Sequence, residues 1–382
     1  MIDLDSQATT PLAPEALEAM LPWLEGNHAN PHSAHRAGRA ARAALEAARA
    51  EVAALAGVAP EAVIFTSGAT EANNLAVKGL MATLPADHSL VTFATEHSCV
   101  REAAFALERD GRRLVLLGVT TDGMPDLEAY EAALADGPVG LVSAMLVNNE
   151  IGSIWPIARM AQMARAAGAH FHCDAAQGFG KIPVRVGDEL GGAALVSVSA
   201  HKMYGPKGIG ALIAEPGLAL RPLLDGGGQE RARSGTQSPA LAAGFGAAAR
   251  LARARMEADL AHARALLALV LGRLEASGID FSVNGPPPGS AARIPTNLNL
   301  RFPGVSATRL IAALPDLLLT SGSACASASG RPSHVLAALG LSRPAIAESL
   351  RLGWGRTTTA DDIERGIAAL AREVARRQRP AA

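Results

Sequence analysis

The sequence predicts an α/β protein in which a mostly parallel, doubly wound sheet forms a large domain and a smaller α+β domain follows it. Short apolar runs alternate with helix-like segments through about residue 215, which is typical of a parallel sheet covered by helices. Polar or charged side chains follow directly on several of these runs, as they do where ligands bind at the carboxyl ends of strands. After Pro216 the alternation stops, and Pro239–Gly278 is expected to be a long helix that bridges the two domains.

Length and composition restrict the class of protein. The chain has 382 residues, of which 49% are hydrophobic and 19% charged, so it can bury a large core and is expected to form two domains. Its formal net charge of −1 provides no basic field for nucleic acid, and no run of about 20 apolar residues predicts a membrane span. Residues Met1–Asp5 have neither a basic nor an apolar signal region, so we expect a cytoplasmic protein with no nucleic-acid or membrane partner.

The N-terminal part is expected to contain two helices. Pro14–Leu24 has a helical pattern, and a second helix rich in Ala and Arg ends near Gly57, with Ser33 as its expected N-cap. The loop between them, residues 26–35, holds three histidines. Because no carboxylate or cysteine stands beside them at ligand spacing, we predict no metal site there.

The next segment has the pattern of a strand, a glycine-containing turn and a helix. Ala62–Phe65 is the predicted strand, Thr66–Glu71 forms the turn, and the helix runs to about Leu84. A helix N-terminus presents free backbone N–H groups and the positive end of the helix dipole, which suits a phosphate, and Thr70 can add a hydroxyl donor. An ordinary βα turn capped by Ser or Thr is the alternative interpretation.

Four further strands continue the sheet, and polar residues follow three of them. Glu96 and His97 follow the first of the four, and an Asn-rich turn, 148–152, follows the longest. Asp174 comes directly after a buried strand, where a carboxylate is costly without a cation or donors, so we expect it to have a charged partner. The predicted strands are Leu90–Thr95, Leu114–Val119, Gly140–Val147 and Ala169–Cys173, with a helix over Pro156–Ala167.

The last strand of this series, Leu195–Ser199, leads into Ala200, His201 and Lys202. A lysine at the carboxyl end of a buried strand is placed for chemistry, and its amine can form a Schiff base. A surface lysine beside a turn is the alternative. We expect Lys202 rather than Lys207 to be reactive, because Lys207 follows Gly205–Pro206 and should point away from the site.

The C-terminal part is expected to be a smaller α+β unit that carries an accessible cysteine. Cys325 lies in Ser321–Gly330, where nine of ten residues are Gly, Ala or Ser, so this segment should be a mobile loop. Cys173 and Cys99 are expected to be buried and passive, the first within an apolar strand and the second at a strand-to-helix junction. The predicted elements are strands at Phe281–Val283, Thr296–Phe302 and Leu317–Thr320, with helices near Thr308–Leu314, His334–Leu339 and Asp361–Arg377.

Taken together, a Schiff-base lysine, a strand-end Asp, a phosphate cradle and a His that can stack on a ring fit pyridoxal phosphate. Over nearly its whole length the sequence resembles the cysteine desulfurases of the NifS/IscS type, which have the class V aminotransferase fold, also called the aspartate aminotransferase-like fold. The motifs that carry this resemblance are Ala8–Pro11, Thr66–Glu71, Glu96–His97, Asn148–Gly152, Asp174–Gln177, His201–Lys202, Tyr204–Gly208, Arg233–Thr236, Ser321–Cys325 and Arg351–Arg356.

The resemblance implies roles for individual residues. Lys202 would hold the cofactor, Asp174 would pair with its ring nitrogen, and His97 would stack on the ring. Gln177 would contact the phenolic oxygen of the cofactor. Ala69, Thr70, Ser199 and His201 match the phosphate-binding positions, Thr236 matches a phosphate-binding position supplied by the other subunit of a homodimer, and Asn149 and Arg351 match the positions that bind the substrate carboxylate.

The resemblance also implies an activity and a domain division. L-cysteine would be converted to L-alanine, and its sulfur would pass to Cys325 as a persulfide and then to an acceptor protein, for iron–sulfur clusters or another pathway. Residues 13–250 would form the large cofactor-binding domain, and 1–12 with 251–382 the small domain that carries Cys325. The chain ends without the longer C-terminal tail of housekeeping members, so the acceptor stays unidentified.

Two other functions stay open at this point. One is an enzyme of the same fold that acts on selenocysteine or cysteine sulfinate and need not use Cys325. The other is a non-catalytic sulfur-carrier or scaffold subunit with a decayed site. The set Lys202, Asp174, His97 and Cys325 argues against the second, because all four side chains are retained.

Overall fold

A computed structural model describes residues 1–322 and 331–378 of the chain. Cys325 and the rest of its predicted loop from residue 323 to 330 lie outside the described residues. The described part is an α/β structure built on a seven-stranded, mostly parallel sheet, which confirms the predicted fold class.

The central sheet has the strand order β2-β8-β7-β6-β5-β3-β4, and six of its strands run in the same direction. The exception is β8, which pairs antiparallel to both β7 and β2. The strands are β2 (Val63–Thr66), β3 (Ser89–Phe93), β4 (Leu114–Leu117), β5 (Val139–Met145), β6 (His170–Asp174), β7 (Leu195–Ser199) and β8 (Gly210–Ala214).

Helices cover both faces of this sheet, because both sets of alternating strand side chains are apolar. On one face, Phe65 and Val142 belong to a core that includes residues of α2, α5, α6 and α7. On the other face, Ile64 and Leu141 pack with α3 and α4. The helices of this part are α1 (Pro14–Glu25), α2 (Arg36–Ala56), α3 (Ala69–Asn74), α4 (Ser98–Arg109), α5 (Leu127–Ala135), α6 (Ile157–Ala166) and α7 (Pro239–Ala276).

A second core lies around a small antiparallel sheet, in which β12 and β9 flank β10. Trp354 and Phe302 are fully buried there, with residues from both the C-terminal end of α7 and the final helix. A separate parallel pair joins the N-terminus to this core. The elements are β1 (Ile2–Asp3), β9 (Ser282–Asn284), β10 (Asn297–Arg301), β11 (Leu317–Leu318), β12 (Ser349–Gly353), α8 (Ala307–Ala313), α9 (His334–Ala338), α10 (Arg343–Ala347) and α11 (Ala360–Gln378).

The structure corrects three local predictions. Ser33 does not cap α2; His35 is the N-cap residue, and its Nδ1 accepts a hydrogen bond from the Gly38 N–H at 3.1 Å. The helix predicted up to about Leu84 ends at Met81 and contains a π-helical turn over Leu75–Gly79, directly after α3. Strand β8 is missing from the predicted strands, although Gly210–Ala214 is fully buried.

Two further properties of the described residues concern partners and domains. None of their helices is both long and apolar enough to cross a membrane. The division at residues 12 and 250 stays a prediction: the two cores are distinct, but α7 runs through position 250 without a break.

Gly210 sets how closely β8 approaches the turn after β2. A Cβ at this position would lie 2.5 Å from the Val198 carbonyl oxygen and 2.8 Å from the backbone of Gly68, so the backbone itself would have to move. We expect Gly210→Ala to lower the free energy of unfolding by about 1–3 kcal/mol, the usual cost of overpacking. Denaturant unfolding measures this change.

Gly118→Ala is the matched control, because no atom lies within 4 Å of the place that its Cβ would occupy and its backbone does not require glycine. It should change the free energy of unfolding by less than about 0.5 kcal/mol. Equal stability of the two variants would contradict the close approach of β8 to Gly68.

Candidate active site

A cavity of about 600 Å³ opens beyond the carboxyl ends of the parallel strands. It is bounded by the β2–α3 turn, the residues after β3, β5, β6 and β7, one N-terminal loop and one residue of β12. Ten of the predicted site residues line it: Ala69, Thr70, His97, Asn149, Asp174, Gln177, Ser199, His201, Lys202 and Arg351. The strand-end positions inferred from the sequence therefore meet in a single cavity.

Lys202 ends a short 3₁₀ turn that follows β7 directly. Its Nζ donates hydrogen bonds to the carbonyl oxygens of Gln7 and Ala8, at 2.6 and 2.9 Å. The N-terminal loop thus orients the amine in the cavity. Lys207 also lines the cavity, which corrects the expectation that it points away, but Lys207 is exposed whereas Lys202 is half-buried.

Asp174, the last residue of β6, is buried and held by two donors. Its Oδ2 accepts from Asn73 Nδ2 at 2.7 Å, and its Oδ1 accepts from the backbone N–H of Ala176 at 3.0 Å. The hydrogen-bond donors to Asp174 are therefore a neutral amide and a backbone N–H, rather than the charged partner expected from the sequence. Asn73 is fully buried, so it fixes the direction of the carboxylate.

His97 is the N-cap of α4 and shares a small network with Cys99. Its Nδ1 accepts from the Cys99 N–H at 3.2 Å and lies 3.0 Å from the Cys99 Sγ. Burial lowers the pKa of His97, with a further lowering by Lys202 and an opposing effect of Asp174. A neutral ring that accepts at Nδ1 carries its proton on Nε2, so His97 can donate from that nitrogen.

Cys99 departs from the expectation that it is buried away from the site. It is half-buried, lines the cavity, and its Sγ accepts from Asn73 Nδ2 at 3.1 Å. Burial, and then Asp174, raise the pKa of this thiol to about 12. Cys99 therefore stays a thiol at neutral pH, which disfavours it as a nucleophile. Cys173, by contrast, is fully buried as expected.

One end of the cavity collects the predicted phosphate contacts. Ala69 and Thr70 begin α3, where backbone N–H groups have no acceptor within the helix. Ser199 is 2% exposed, and its Oγ has no hydrogen-bond partner among the described residues. His201 Nδ1 lies 3.1 Å from Thr9 Oγ1, and burial followed by Lys202 lowers the pKa of His201 to about 4. The start of α3 and the Ser199 hydroxyl, which has no partner among the described residues, therefore line the same cavity.

Another part of the cavity is formed by Arg351, the middle residue of β12. Its Nη2 pairs with Asp5 Oδ1 at 2.7 Å, and its Nη1 donates to the Asn149 carbonyl oxygen at 2.9 Å. Its Nε is buried and has no partner among the described residues. One N–H of a buried guanidinium is therefore left for an additional acceptor.

Thr236 is the one predicted site residue with a described position outside this cavity. It lines a neighbouring pocket of about 150 Å³ together with Ser67, Arg233 and Ser238. Among the described residues no group of three or more His, Cys, Asp or Glu is placed to hold a metal ion. Cys325 cannot be placed relative to the cavity, because it lies outside the described residues.

Sequence reasoning missed Asn73, Cys99 and Gln7. Asn73 and Cys99 are joined by a side-chain contact, and Gln7 presents its carbonyl to Lys202 from 195 residues away. The only sequence signal for them is proximity to a motif: Asn73 follows Thr66–Glu71, Cys99 follows His97, and Gln7 precedes Ala8–Pro11. No periodicity or spacing predicts the contacts themselves.

The residues present fit pyridoxal phosphate. Ser199 supplies an orphaned buried hydroxyl beside a helix start, which suits the phosphate. Asp174 supplies a fixed carboxylate for a pyridine N–H, and Lys202 supplies an amine in the same cavity. The cavity volume is within the range of ordinary cofactor sites.

Comparisons with known proteins give a consistent result. The model of the class-V aminotransferases matches residues 2–365. A protein of Rickettsia bellii named cysteine desulfurase IscS is 42% identical over 373 residues, which cover 96% of this chain and 89% of that protein. A NifS-like protein of known structure has a TM-score of 0.90 at 29% identity, covering 98% of this chain and 99% of that one. A structure described as SspA in complex with cysteine has a TM-score of 0.80 at 32% identity, covering 92% and 98%.

His172 on β6 should make the stability of the folded chain depend on pH. His172 is fully buried. Its Nδ1 lies 2.8 Å from Ser143 Oγ, and its Nε2 lies 2.9 Å from Ser197 Oγ. Burial lowers the pKa of His172 to about 4. The unfolded chain binds this proton near pH 6.5, so stability is lost as the pH falls from about 6.5 to about 4. We expect this residue to account for up to about 3 kcal/mol of that loss.

The measurement compares denaturant unfolding of the parent chain and His172→Asn at several pH values in that interval. The variant should be less stable near neutral pH but lose less stability on acidification. His32→Asn, which changes an exposed histidine, serves as the control. Parallel curves for the parent and His172→Asn would contradict the assignment.

Proposed function

Because the chain belongs to the class-V aminotransferase family, we propose that it is a pyridoxal phosphate-dependent cysteine desulfurase, which takes sulfur from L-cysteine and leaves L-alanine. The observation that carries the proposal is the meeting of Lys202, Asp174, His97 and Arg351 in one cavity. The relatives named cysteine desulfurase, and a structural neighbour determined with cysteine, support the substrate.

In this proposal several residues of the cavity would hold the cofactor. Lys202 would hold it covalently, Asp174 would accept a hydrogen bond from its ring nitrogen, and His97 would stack on its ring. Ala69, Thr70, Ser199 and His201 bind its phosphate, and Gln177 contacts its phenolic oxygen. When bound, pyridoxal phosphate supplies an electron sink for the negative charge that develops at the substrate α-carbon.

Arg351 and Asn149 bind and orient the substrate carboxylate. The buried guanidinium of Arg351 already has Asp5 on one nitrogen, and its Nε has no partner among the described residues. A carboxylate at this position gains a charge-assisted hydrogen bond, which fixes the substrate as well as attracting it. Asp5 in turn keeps the guanidinium in place.

The side chains near the reacting atoms move the protons. The amine of Lys202, when free, would accept the substrate α-proton and return a proton later. The proton on His97 Nε2, which follows from acceptance at Nδ1, makes His97 a donor toward groups in the cavity. The lowered pKa of His97 keeps the ring neutral between transfers.

Cys325 is the proposed sulfur acceptor. Its thiolate attacks the substrate sulfur, so that an S–S bond forms while the carbon–sulfur bond breaks. The electron pair of the broken bond stays with the carbon skeleton, which takes up protons and leaves as alanine. The sulfur remains on Cys325 as a persulfide until an acceptor protein removes it.

The partners and the location follow from the same proposal. Thr236 lies in a pocket separate from the main cavity of its own chain, which supports its use on the phosphate of a second subunit in a homodimer. The identity of the sulfur-acceptor protein, for iron–sulfur clusters or another pathway, is open. Cys99 and Cys173 are free thiols, which supports a reducing compartment such as the cytoplasm.

The first test of the function is to assign the lysine that holds the cofactor. Lys202→Ala should lose the visible absorption of lysine-bound pyridoxal phosphate and lower alanine formation from L-cysteine by about a thousandfold, since both the covalent link and the proton carrier are removed. Borohydride reduction and peptide mapping of the parent should place the pyridoxyl label on Lys202.

Lys207→Ala is the matched control, because it removes another amine from the same cavity. It should keep the visible absorption band. A pyridoxyl label on Lys207, or a parent chain with no cofactor absorption, would contradict the assignment of Lys202 as the residue that holds the cofactor.

The second test concerns the nucleophile. Cys325→Ser should still bind the cofactor and change its absorption spectrum with L-cysteine, because those steps need Lys202 and the carboxylate site. Release of sulfide and alanine should fall by about a hundredfold or more, because the sulfur has no acceptor. Stopped-flow spectra and alanine assays separate the two steps.

Cys99→Ser and Cys173→Ser are the controls, and both should retain turnover within about threefold. Sulfide release by Cys325→Ser at the parent rate would favour a lyase that expels the substituent directly. A parent chain that prefers selenocysteine or cysteine sulfinate to L-cysteine would replace the substrate assignment.

A further inference from the structure

Lys181 stands behind the cavity and contacts one of the residues that line it. Its Nζ donates a hydrogen bond to Gln177 Oε1 at 3.2 Å, four residues earlier in the chain. Lys181 does not itself line the cavity. Burial, then Lys202 and then Arg351, lower its pKa to about 7, so its ammonium lies in a crowded region of positive charge.

The contact determines which end of the Gln177 amide faces which neighbour. In the structure Lys181 donates to the oxygen of the amide, and its ammonium form offers the amide NH₂ group no acceptor. The other end, Nε2, then donates to the Gln7 carbonyl oxygen at 2.9 Å. Lys202 Nζ donates to the same Gln7 oxygen at 2.6 Å.

Two donors, Gln177 Nε2 and Lys202 Nζ, therefore converge on one carbonyl oxygen beside the reactive amine. If the amide were reversed, its NH₂ group would face the Lys181 donor and its oxygen would face the Gln7 oxygen. Both contacts would be lost, and the two ends of the buried Gln177 amide would be left without these partners. The observed orientation is thus fixed from both ends.

We propose that Lys181 is a positioning residue, which holds the Gln177 amide with its NH₂ group toward the reacting atoms at Lys202. The inference rests on the proposed function, since it concerns the same cofactor site. Lys181 acts through Gln177: it makes no contact with cofactor or substrate, but it makes Gln177 a donor where an acceptor would repel an anionic oxygen.

The test uses Lys181→Met, which keeps the length of the side chain and removes the donor. Titration of the apo protein gives the dissociation constant of pyridoxal phosphate. The visible absorption maximum, kcat and KM for L-cysteine are then measured on the loaded enzyme. We expect an altered absorption maximum and a decrease in kcat of about tenfold, with a smaller change in KM. Lys181→Arg, which can donate to the same oxygen, should restore most of the loss.

Lys78→Met is the matched control, because Lys78 is half-buried on the π-helical turn and does not line the cavity. It should leave the absorption maximum and kcat within about twofold of the parent. A double-mutant cycle separates positioning from a general effect: in a Gln177→Ala background, Lys181→Met should change kcat by less than about twofold.

Gln177→Glu provides a second variant in case Lys181→Met does not fold. It keeps an oxygen for Lys181 but, as a carboxylate, has no donor for the cavity side, so it should show the same altered absorption and a comparable loss of kcat. A parent-like spectrum and kcat in either Lys181→Met or Gln177→Glu would overturn the inference. So would an equal effect of Lys181→Met with and without Gln177.

The two proposals fail in different ways. If the parent binds pyridoxal phosphate and forms alanine from L-cysteine while Lys181→Met matches it, only the role of Lys181 is wrong. If the parent neither binds pyridoxal phosphate nor forms alanine from L-cysteine, the proposed function is wrong, and so is the role of Lys181 that rests on it.

Discussion

The arrangement of the site depends on the in-register pairing of three parallel strands. Met145 at the end of β5 pairs with Asp174 at the end of β6, and Asp174 pairs with Ser197 on β7. Because parallel strands bring their carboxyl ends to one edge, the residues that follow each strand must meet there. A shift of one residue would turn Asp174 to the other face of the sheet and remove it from the cavity.

Several ionisable side chains are buried at this edge of the sheet. Hydrogen bonds and shifted pKa values reduce the free-energy cost of burying them. Asp174 receives two hydrogen bonds. Glu96, which is fully buried nearby, has its pKa raised well above the ordinary value by burial and by Asp174, which favours its neutral form, and its Oε1 accepts from the Met145 N–H at 2.8 Å. His97 is neutral as well. The edge therefore avoids holding two carboxylates charged side by side, which would be costly in a buried environment.

The sequence predicts the part of the site that is local in the chain. Lys202 and Asp174 can be identified because each stands at the carboxyl end of a predicted buried strand, and the order of strands and helices gives the fold class. Asn73 and Gln7 cannot, because their contacts with Asp174 and Lys202 span 101 and 195 residues. The cap of α2 illustrates a smaller limit: Ser33 and His35 can both accept a backbone hydrogen bond, and in the structure His35 accepts it from Gly38. Strand β8 is buried on both faces, so no alternation of polar and apolar residues marks it.

The second core is coupled to the site through β12. The backbone N–H of Arg351 donates to the Thr320 carbonyl oxygen at 2.7 Å, while its guanidinium reaches Asp5 and Asn149. Ser333 lies on the other side of the segment that carries Cys325, and its Oγ donates to Glu150 Oε2 at 2.5 Å. The residues that flank this segment are thus attached to the same two elements, β12 and the turn after β5, that form the carboxylate end of the cavity. Under the proposed function, substrate binding and sulfur transfer share these supports, so a change in β12 would disturb both steps together.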